Sequence, residues 1–510
     1  VTTAQRPDAA HAQDAENAED GLAQDGLKQR ALAGLFVVGS RGLAIMLVGF
    51  VGQVVLARQL MPTDFGAVAV GLAFVTFVNL FADGGLGAGL IRRPEPPDRA
   101  DLGALTGLQV SVATALALGV AGIAPLFGRT GWVTAVVVAS TPFLALQIPG
   151  RIVLERALAY RRLAIIELSQ VIVFNLWAIA WVLAGAGVWG MASAAPVRAV
   201  VGVAAMAWAS PVGVPSPRFA WRRVRGLMSF GIRFQAVTAA QLVRDQGLNT
   251  AIAALATVST LGLVAVARRL LEVPYLLLGA TFRVSFPTMS QLLARKADPA
   301  PLIERAVGVT TVGSGLVLTG LAASAPGLVP GLFGVQWRDA ATILPAACLG
   351  LCVGGSVSVA TQGYLYAVGD AAVVLRACVL QTLVQFLVVL VALPWIGVVA
   401  VGLGWLASNL VEAVVLGRAT AARTHVRLAG RLAAPVSAGI VAGAAGWLTT
   451  RALGSDLVAG LVGGALATAA YLVLVLVLNR RLVAETVHLA LSSARAVWGG
   501  GTEDVRAGVA

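Results

Sequence analysis

Fourteen apolar segments, each long enough to cross a bilayer, follow one another between residues 32 and 478. A helix needs about 20 apolar residues to span a hydrocarbon core of ~30 Å. In lipid the helix satisfies its own backbone hydrogen bonds, which an open strand does not. The pattern predicts spans at 32–56, 66–91, 102–124, 131–150, 163–184, 187–208 and 226–249. It continues at 258–281, 307–327, 339–362, 371–393, 397–417, 432–450 and 456–478. Charged residues make up only 12% of the chain, against roughly one quarter in soluble domains. The expected fold class is therefore an all-α polytopic membrane protein.

The arginines give the chain a direction. Nineteen Lys or Arg residues fall in the even-numbered connections and four, Arg58, Arg129, Arg338 and Arg451, in the odd-numbered ones. Basic loops stay on the cytoplasmic side, so both termini are expected in the cytoplasm. The net charge of +13 is explained by this asymmetry, and nucleic acid is not an expected partner. The tenth connection, at Gly369 and Asp370, contains no basic residue. Every odd-side loop is short and leaves no room for an outer catalytic domain.

Metal and nucleotide chemistry find no support. Cys348 and Cys352 are one helical turn apart and Cys378 stands alone; zinc thiolates favour other spacings. His11, His425 and His488 do not cluster, and no phosphate-binding glycine loop ends in Lys-Ser or Lys-Thr. Neither catalytic residues, a metal site nor a cofactor is expected. Residues 1–30 read as a disordered cytoplasmic tail and not as a cleavable signal. Residues 481–510 read as a cytoplasmic tail, either an amphipathic surface helix or an inert extension.

Four short matches in order suggest an internal repeat. VGSR at 38–41 pairs with FGIR at 230–233, and FGAVAVG at 65–71 with LGLVAVA at 261–267. PLFGRTGW at 125–132 pairs with PGLFGVQW at 330–337, and GVWGMASA at 187–194 with GVVAVGLG at 397–404. The offsets drift slowly from 192 to 210, as loop insertions would make them. Two parallel six-helix repeats follow, with the first lobe at 31–225, the second at 226–425, and two extra helices at 426–480. Parallel repeats about an axis along the membrane normal are a transporter layout.

Ionisable residues inside spans are costly and point to a polar interior. Arg233 and Arg244 lie eleven residues apart, about three turns at ~3.6 residues per turn, and so share one helix side. The repeat makes Arg41 the counterpart of Arg233. Arginine's planar fork suits phosphate, whereas snorkelling or a local ion pair are the plainer readings for Arg41 and Arg244. Arg268 and Arg269 occupy the middle of the eighth segment. An Arg268–Glu272 pair one turn apart is expected there, which leaves Arg269 for the cavity. Arg198 lies mid-way along the sixth segment, and the matching part of the twelfth holds Asn409 and Glu412; a contact between those helices and a substrate role both remain open. Asp83, Asp245, Glu272 and Glu412 are the candidate proton or cation sites.

LARQLMPTDFGAVAV after the first helix, DGGLGAGLIRR ending the second and GVWG opening the sixth carry a resemblance, as do LGLVAVARRLLEVP and FRVSFPTMSQL around the eighth. The chain resembles the bacterial polysaccharide exporters, the lipid-linked oligosaccharide flippases of the MATE-like (multidrug/oligosaccharidyl-lipid/polysaccharide) exporter superfamily. The resemblance implies a V-shaped pair of six-helix lobes around a cationic cavity. It implies transfer of undecaprenyl-pyrophosphate-linked sugars between leaflets of the bacterial cytoplasmic membrane by alternating access. On that basis Arg41, Arg233, Arg244 and Arg269 contact the pyrophosphate. The family pattern after the seventh-helix arginine is replaced here by Asp245-Gln246-Gly247, so no ion site is carried over.

The expected partners are a polyprenyl-pyrophosphate-linked glycan and the bilayer, with polysaccharide polymerase and glycosyltransferases as candidate partner enzymes of a monomer. A peptidoglycan-precursor flippase is the nearest alternative. A drug/cation antiporter of the same fold would favour acidic and aromatic linings, and a polysaccharide polymerase would need a long outer loop.

Overall fold

The computed structural model describes residues 42–83, 86, 97–157, 159–220, 242, 246–454 and 456–488. The regular elements among them are all helical. They divide into two compact units, with unit 1 comprising Val1–Gln59 and Val70–Val243, and unit 2 comprising Leu60–Ala69 and Arg244–Ala510.

Unit 1 contains α1 (Gly42–Gln59) and all but the first turns of α2 (Pro62–Asp83). It continues with α3 (Arg99–Ile123), α4 (Gly128–Val138), α5 (Thr141–Arg156), α6 (Tyr160–Trp181) and α7 (Val188–Ala209). Asp98 starts α3 by accepting the Asp101 N–H at 2.5 Å, an N-cap that satisfies one of the helix's orphan donors. The fourth expected span is two helices. Pro142 has no N–H to return to Val138, and the Thr141 hydroxyl takes that carbonyl instead at 2.8 Å.

Unit 2 contains a helix at 246–255, α8 (Val258–Ala294), α9 (Ala300–Phe333) and α10 (Leu344–Ala367). It then has α11 (Ala371–Ile396), α12 (Val399–Thr424), α13 (Leu428–Leu453), α14 (Leu457–Leu478) and a short α15 at 480–488. At 37 residues, about 55 Å at ~1.5 Å per residue, α8 overruns its expected end at 281.

Small residues set the close packing of unit 2. A Cβ on Gly66 would stand 1.7 Å from the Val258 carbonyl oxygen, and one on Gly262 2.0 Å from that of Pro62. The start of α2 therefore crosses α8 at backbone contact, and Phe65 meets buried Trp337 edge-on at 4.9 Å. The α13–α14 pair docks on α9. Fully buried Tyr471 donates its hydroxyl to the Thr311 and Val312 carbonyls, and Thr450 donates to that of Ala323 at 2.9 Å. Gly187 and Gly397, matched in the repeat, hold nearly the same conformation (φ 56, ψ −135 and φ 58, ψ −142) before α7 and α12.

The connections of unit 2 sort to opposite ends. Arg423, closing α12, pairs with Asp370 between α10 and α11. Glu304, near the start of α9, accepts the Arg427 N–H at 2.7 Å. Arg431 lies 4.0 Å from Glu304 and 3.1 Å from Glu485. At the other end Gly331 abuts Leu457, and Gly402 abuts the Ile343 carbonyl. The C-terminal segment is docked as far as Glu485, because Leu482 is fully buried in a cluster with Val312, Tyr471 and Val475 and Glu485 pairs with Arg431.

Eleven helices among the described residues are long and apolar enough to cross a membrane. One of the eleven, Arg99–Arg156, runs through α3, α4 and α5 and holds both the third and fourth expected spans. Most of the seventh, 226–249, lies outside the described residues. The eighth, α8, carries Arg268, Arg269 and Glu272 in its middle. The chain is an α-helical, multi-pass membrane protein.

Candidate functional site

A cavity of about 650 Å³ opens within unit 2, walled by the helix at 246–255 and by α8, α10, α11 and α12. Helical spacing aims its lining inward. Arg268, Glu272, Tyr275, Gly279 and Phe282 recur every three or four residues along α8, as do Trp405, Ser408, Asn409 and Glu412 along α12. The α10 wall supplies Ser358 and Gln362, the α11 wall Gln381 and Gln385, and the helix at 246–255 Asn249. Close packing of α10 on α12 is possible because a Cβ on Gly354 would come within 2.7 Å of the Asn409 side chain and carbonyl.

Glu412 is held from both sides. Gln362 Nε2 donates to one carboxylate oxygen and Gln381 Nε2 to the other, each at 2.9 Å. These amides compensate a charged group taken out of water. Across the cavity the pairing on α8 differs from the expected one. Arg269 Nη1 donates to Glu272 Oε2 at 2.6 Å, and exposed Arg268 is the arginine that lines the cavity. The physical reason is that 268, 272, 275, 279 and 282 form one continuous face, whereas Arg269, one residue round the helix, reaches Glu272 across three residues. The lining thus holds one arginine and two carboxylates, one of them neutralised by Arg269, within a ring of amides and aromatics. Among the described residues the lining is close to electrically balanced; Arg41, Arg233 and Arg244, three of the four arginines expected to form a cationic surface, lie outside them.

The other expected site residues fall in unit 1 or outside the description. Arg198 on α7 lies within electrostatic range of Glu167 and Arg151, and Arg151 Nη2 approaches Glu167 Oε1 at 3.3 Å. Asp83, ending α2, accepts from fully buried Gln109 at 3.0 Å. Arg41, Arg233, Arg244 and Asp245 lie outside the described residues. Cys348 and Cys352 are buried free thiols, and Cys378 is free and half-buried.

Residues not singled out from sequence are Gln362, Gln381, Gln385, Tyr275 and Trp405. A signal for them existed, since Gln381 and Gln385 place two amides one turn apart within a predicted span, where an unpaired amide is costly.

Known proteins share both sequence and fold with this chain. The chain is 27% identical over 304 residues to the succinoglycan biosynthesis transport protein ExoT of Rhizobium meliloti (strain 1021), covering 58% of this chain and 61% of the relative. The fold matches a lipid II flippase MurJ structure with a TM-score of 0.66 at 13% identity, over 88% of this chain and all of that one. It also matches an inward-facing MATE multidrug resistance transporter of the MOP superfamily with a TM-score of 0.53 at 15% identity, over 74% of this chain and 94% of the other. The family described as "Polysaccharide biosynthesis protein" matches residues 55–342, more than half the chain. The resemblance read from the first and eighth helices therefore holds, and the chain belongs to the polysaccharide biosynthesis protein family, within the fold shared by MurJ and MATE transporters.

Proposed function

We propose that the protein is a flippase that carries a polyprenyl-pyrophosphate-linked oligosaccharide across the bacterial cytoplasmic membrane by alternating access, for polysaccharide biosynthesis. The observation that carries this reading is the amide- and aromatic-lined cavity of unit 2, set among membrane-spanning helices. Polar surface at membrane depth is costly unless it serves a polar cargo. The amides of Asn249, Gln362, Gln381, Gln385 and Asn409 offer donors and acceptors without net charge, and Tyr275 and Trp405 offer flat faces. That chemistry suits the hydroxyl-rich glycan. The pyrophosphate falls to Arg268 and to Arg41, Arg233 and Arg244.

The reading includes fourteen spans, cytoplasmic termini, and lobes at 31–225 and 226–425 with two further helices at 426–480. Transport requires no catalytic residue, so the protein is not read as an enzyme. Polymerase and glycosyltransferases are the proposed partners of a monomeric transporter. ExoT, by its name a transport protein of succinoglycan biosynthesis, supports the cargo class.

A drug/cation antiporter is the second reading, favoured by the carboxylate of Glu412 in the cavity wall. A complementation experiment separates the two. In cells whose polymer export depends on this chain, Gln381→Leu and Arg233→Ala, at normal membrane levels, are expected to reduce polymer output at least tenfold, the scale of losing a charged hydrogen bond of ~1.5–3 kcal/mol. Full polymer output from both variants, or unchanged polymer with lost cation-drug efflux, overturns the flippase reading.

A further inference from the structure

On the outer side of α12 lies a second recess of about 410 Å³, with walls from α10 (Val353, Val357), α12 (Leu410, Val414) and the start of α13 (Leu428, Leu432). It is apolar except for Arg418. The chain turns at His425, which holds a left-handed φ of 56, and this turn brings buried Val426 and then Leu428 in to close the recess. From Arg418 the groove descends to Leu410, about 12 Å at ~1.5 Å per residue, which is most of one leaflet of a ~30 Å core. Neighbouring arginines are engaged, Arg423 with Asp370 and Arg431 with Glu485. Arg418 has neither a hydrogen bond nor an ion pair among the described residues, and it is exposed.

We infer that this groove is a binding site for one anionic phospholipid of the bilayer, separate from the transport cavity. The lipid phosphate sits on the Arg418 guanidinium, which matches two phosphate oxygens with parallel N–H donors. One acyl chain lies along Val353, Val357, Leu410, Val414 and Leu432. The site rests on the reading that these helices span a bilayer, but not on which side faces the cytoplasm or on what the protein transports. A groove with a cation at the headgroup end and hydrocarbon below it selects for lipid charge as well as for a chain.

The full-length protein, extracted in mild detergent from membranes containing phosphatidylglycerol and phosphatidylethanolamine, is assayed by native mass spectrometry for retained lipid. The wild type should retain phosphatidylglycerol preferentially. Arg418→Ala should lower that retention about fivefold, the equivalent of ~1 kcal/mol for one basic residue at an anionic lipid, and Arg418→Lys should keep part of it. Gly417→Leu fills the groove, because a Cβ there already stands 3.4 Å from Leu428, and should release the lipid while leaving Arg418 in place. Arg295→Ala, removing an exposed arginine outside the groove, should change nothing. Equal retention in wild type, Arg418→Ala and Gly417→Leu overturns the site, as does retention of both phospholipids in proportion to their supply. A retained species with the mass of a polyprenyl-linked glycan would instead make the groove part of the substrate path.

Discussion

At the residue scale the two arginines of α8 divide the work between them. Arg269 is tied to Glu272 at 2.6 Å, with side-chain exposures of 19% and 41%, so the pair is partly screened and contributes on the order of 1 kcal/mol. Arg268 faces the cavity. Arg269→Ala should therefore lower the unfolding midpoint slightly with transport retained, whereas Arg268→Ala should lower transport about tenfold with the midpoint unchanged. Transport and thermal unfolding measured on the same two variants check this, and the reverse pattern would exchange their roles. Sequence spacing identified the charged trio but not its pairing, because Glu272 is within one turn of both arginines and only the packed helix shows which face is the wall. The amides around Glu412 were harder to read, since Gln362, Gln381 and Glu412 are brought together from three helices.

At the element scale, apolar length alone was enough to place most helices. It was not enough to set their ends. The expected 131–150 span hides the α4–α5 break, although Ser140, Thr141 and Pro142 carry the signal. It also understates α8, because polar turns beyond the hydrocarbon leave no apolar mark. The close crossing of α2 and α8 was visible only as a repeat match, in FGAVAVG and LGLVAVA, whose glycines turn out to face each other. Gly66→Leu would force α2 from α8 and should destabilise the protein by about 3 kcal/mol or more, read as loss of folded protein after extraction. Gly119→Ala, with nothing within 4 Å of the added carbon, should stay within ~0.5 kcal/mol of wild type. Equal yields of the two variants would show that the crossing does not hold the unit together.

At the scale of the whole molecule, the proposed topology rests on the arginine count, and unit 2 bears on the tenth connection, which holds no basic residue. Asp370 has no basic neighbour in its own loop, yet it meets Arg423 from the basic twelfth connection, so both lie at one end. Cysteines replacing Arg338 and Arg451 should react with impermeant reagent from outside the cell, and one replacing Arg427 only after permeabilisation. Reversed labelling would sink the fourteen-span arrangement. What sequence could not supply is the character of the cavity. The described wall in unit 2 is nearly balanced and rich in amides, because Arg269 pairs with Glu272 and Glu412 lines the same space as Arg268; the expected arginines Arg41, Arg233 and Arg244 lie outside the described residues.

The most direct measurement places the purified full-length protein in sealed vesicles with a polyprenyl-pyrophosphate-linked oligosaccharide and follows how much glycan becomes accessible to an impermeant lectin. The account predicts protein-dependent translocation that falls about tenfold in Arg268→Ala and is unchanged in Arg295→Ala. Equal lectin access in vesicles with and without the protein, under an imposed ion gradient as well as without one, would contradict it.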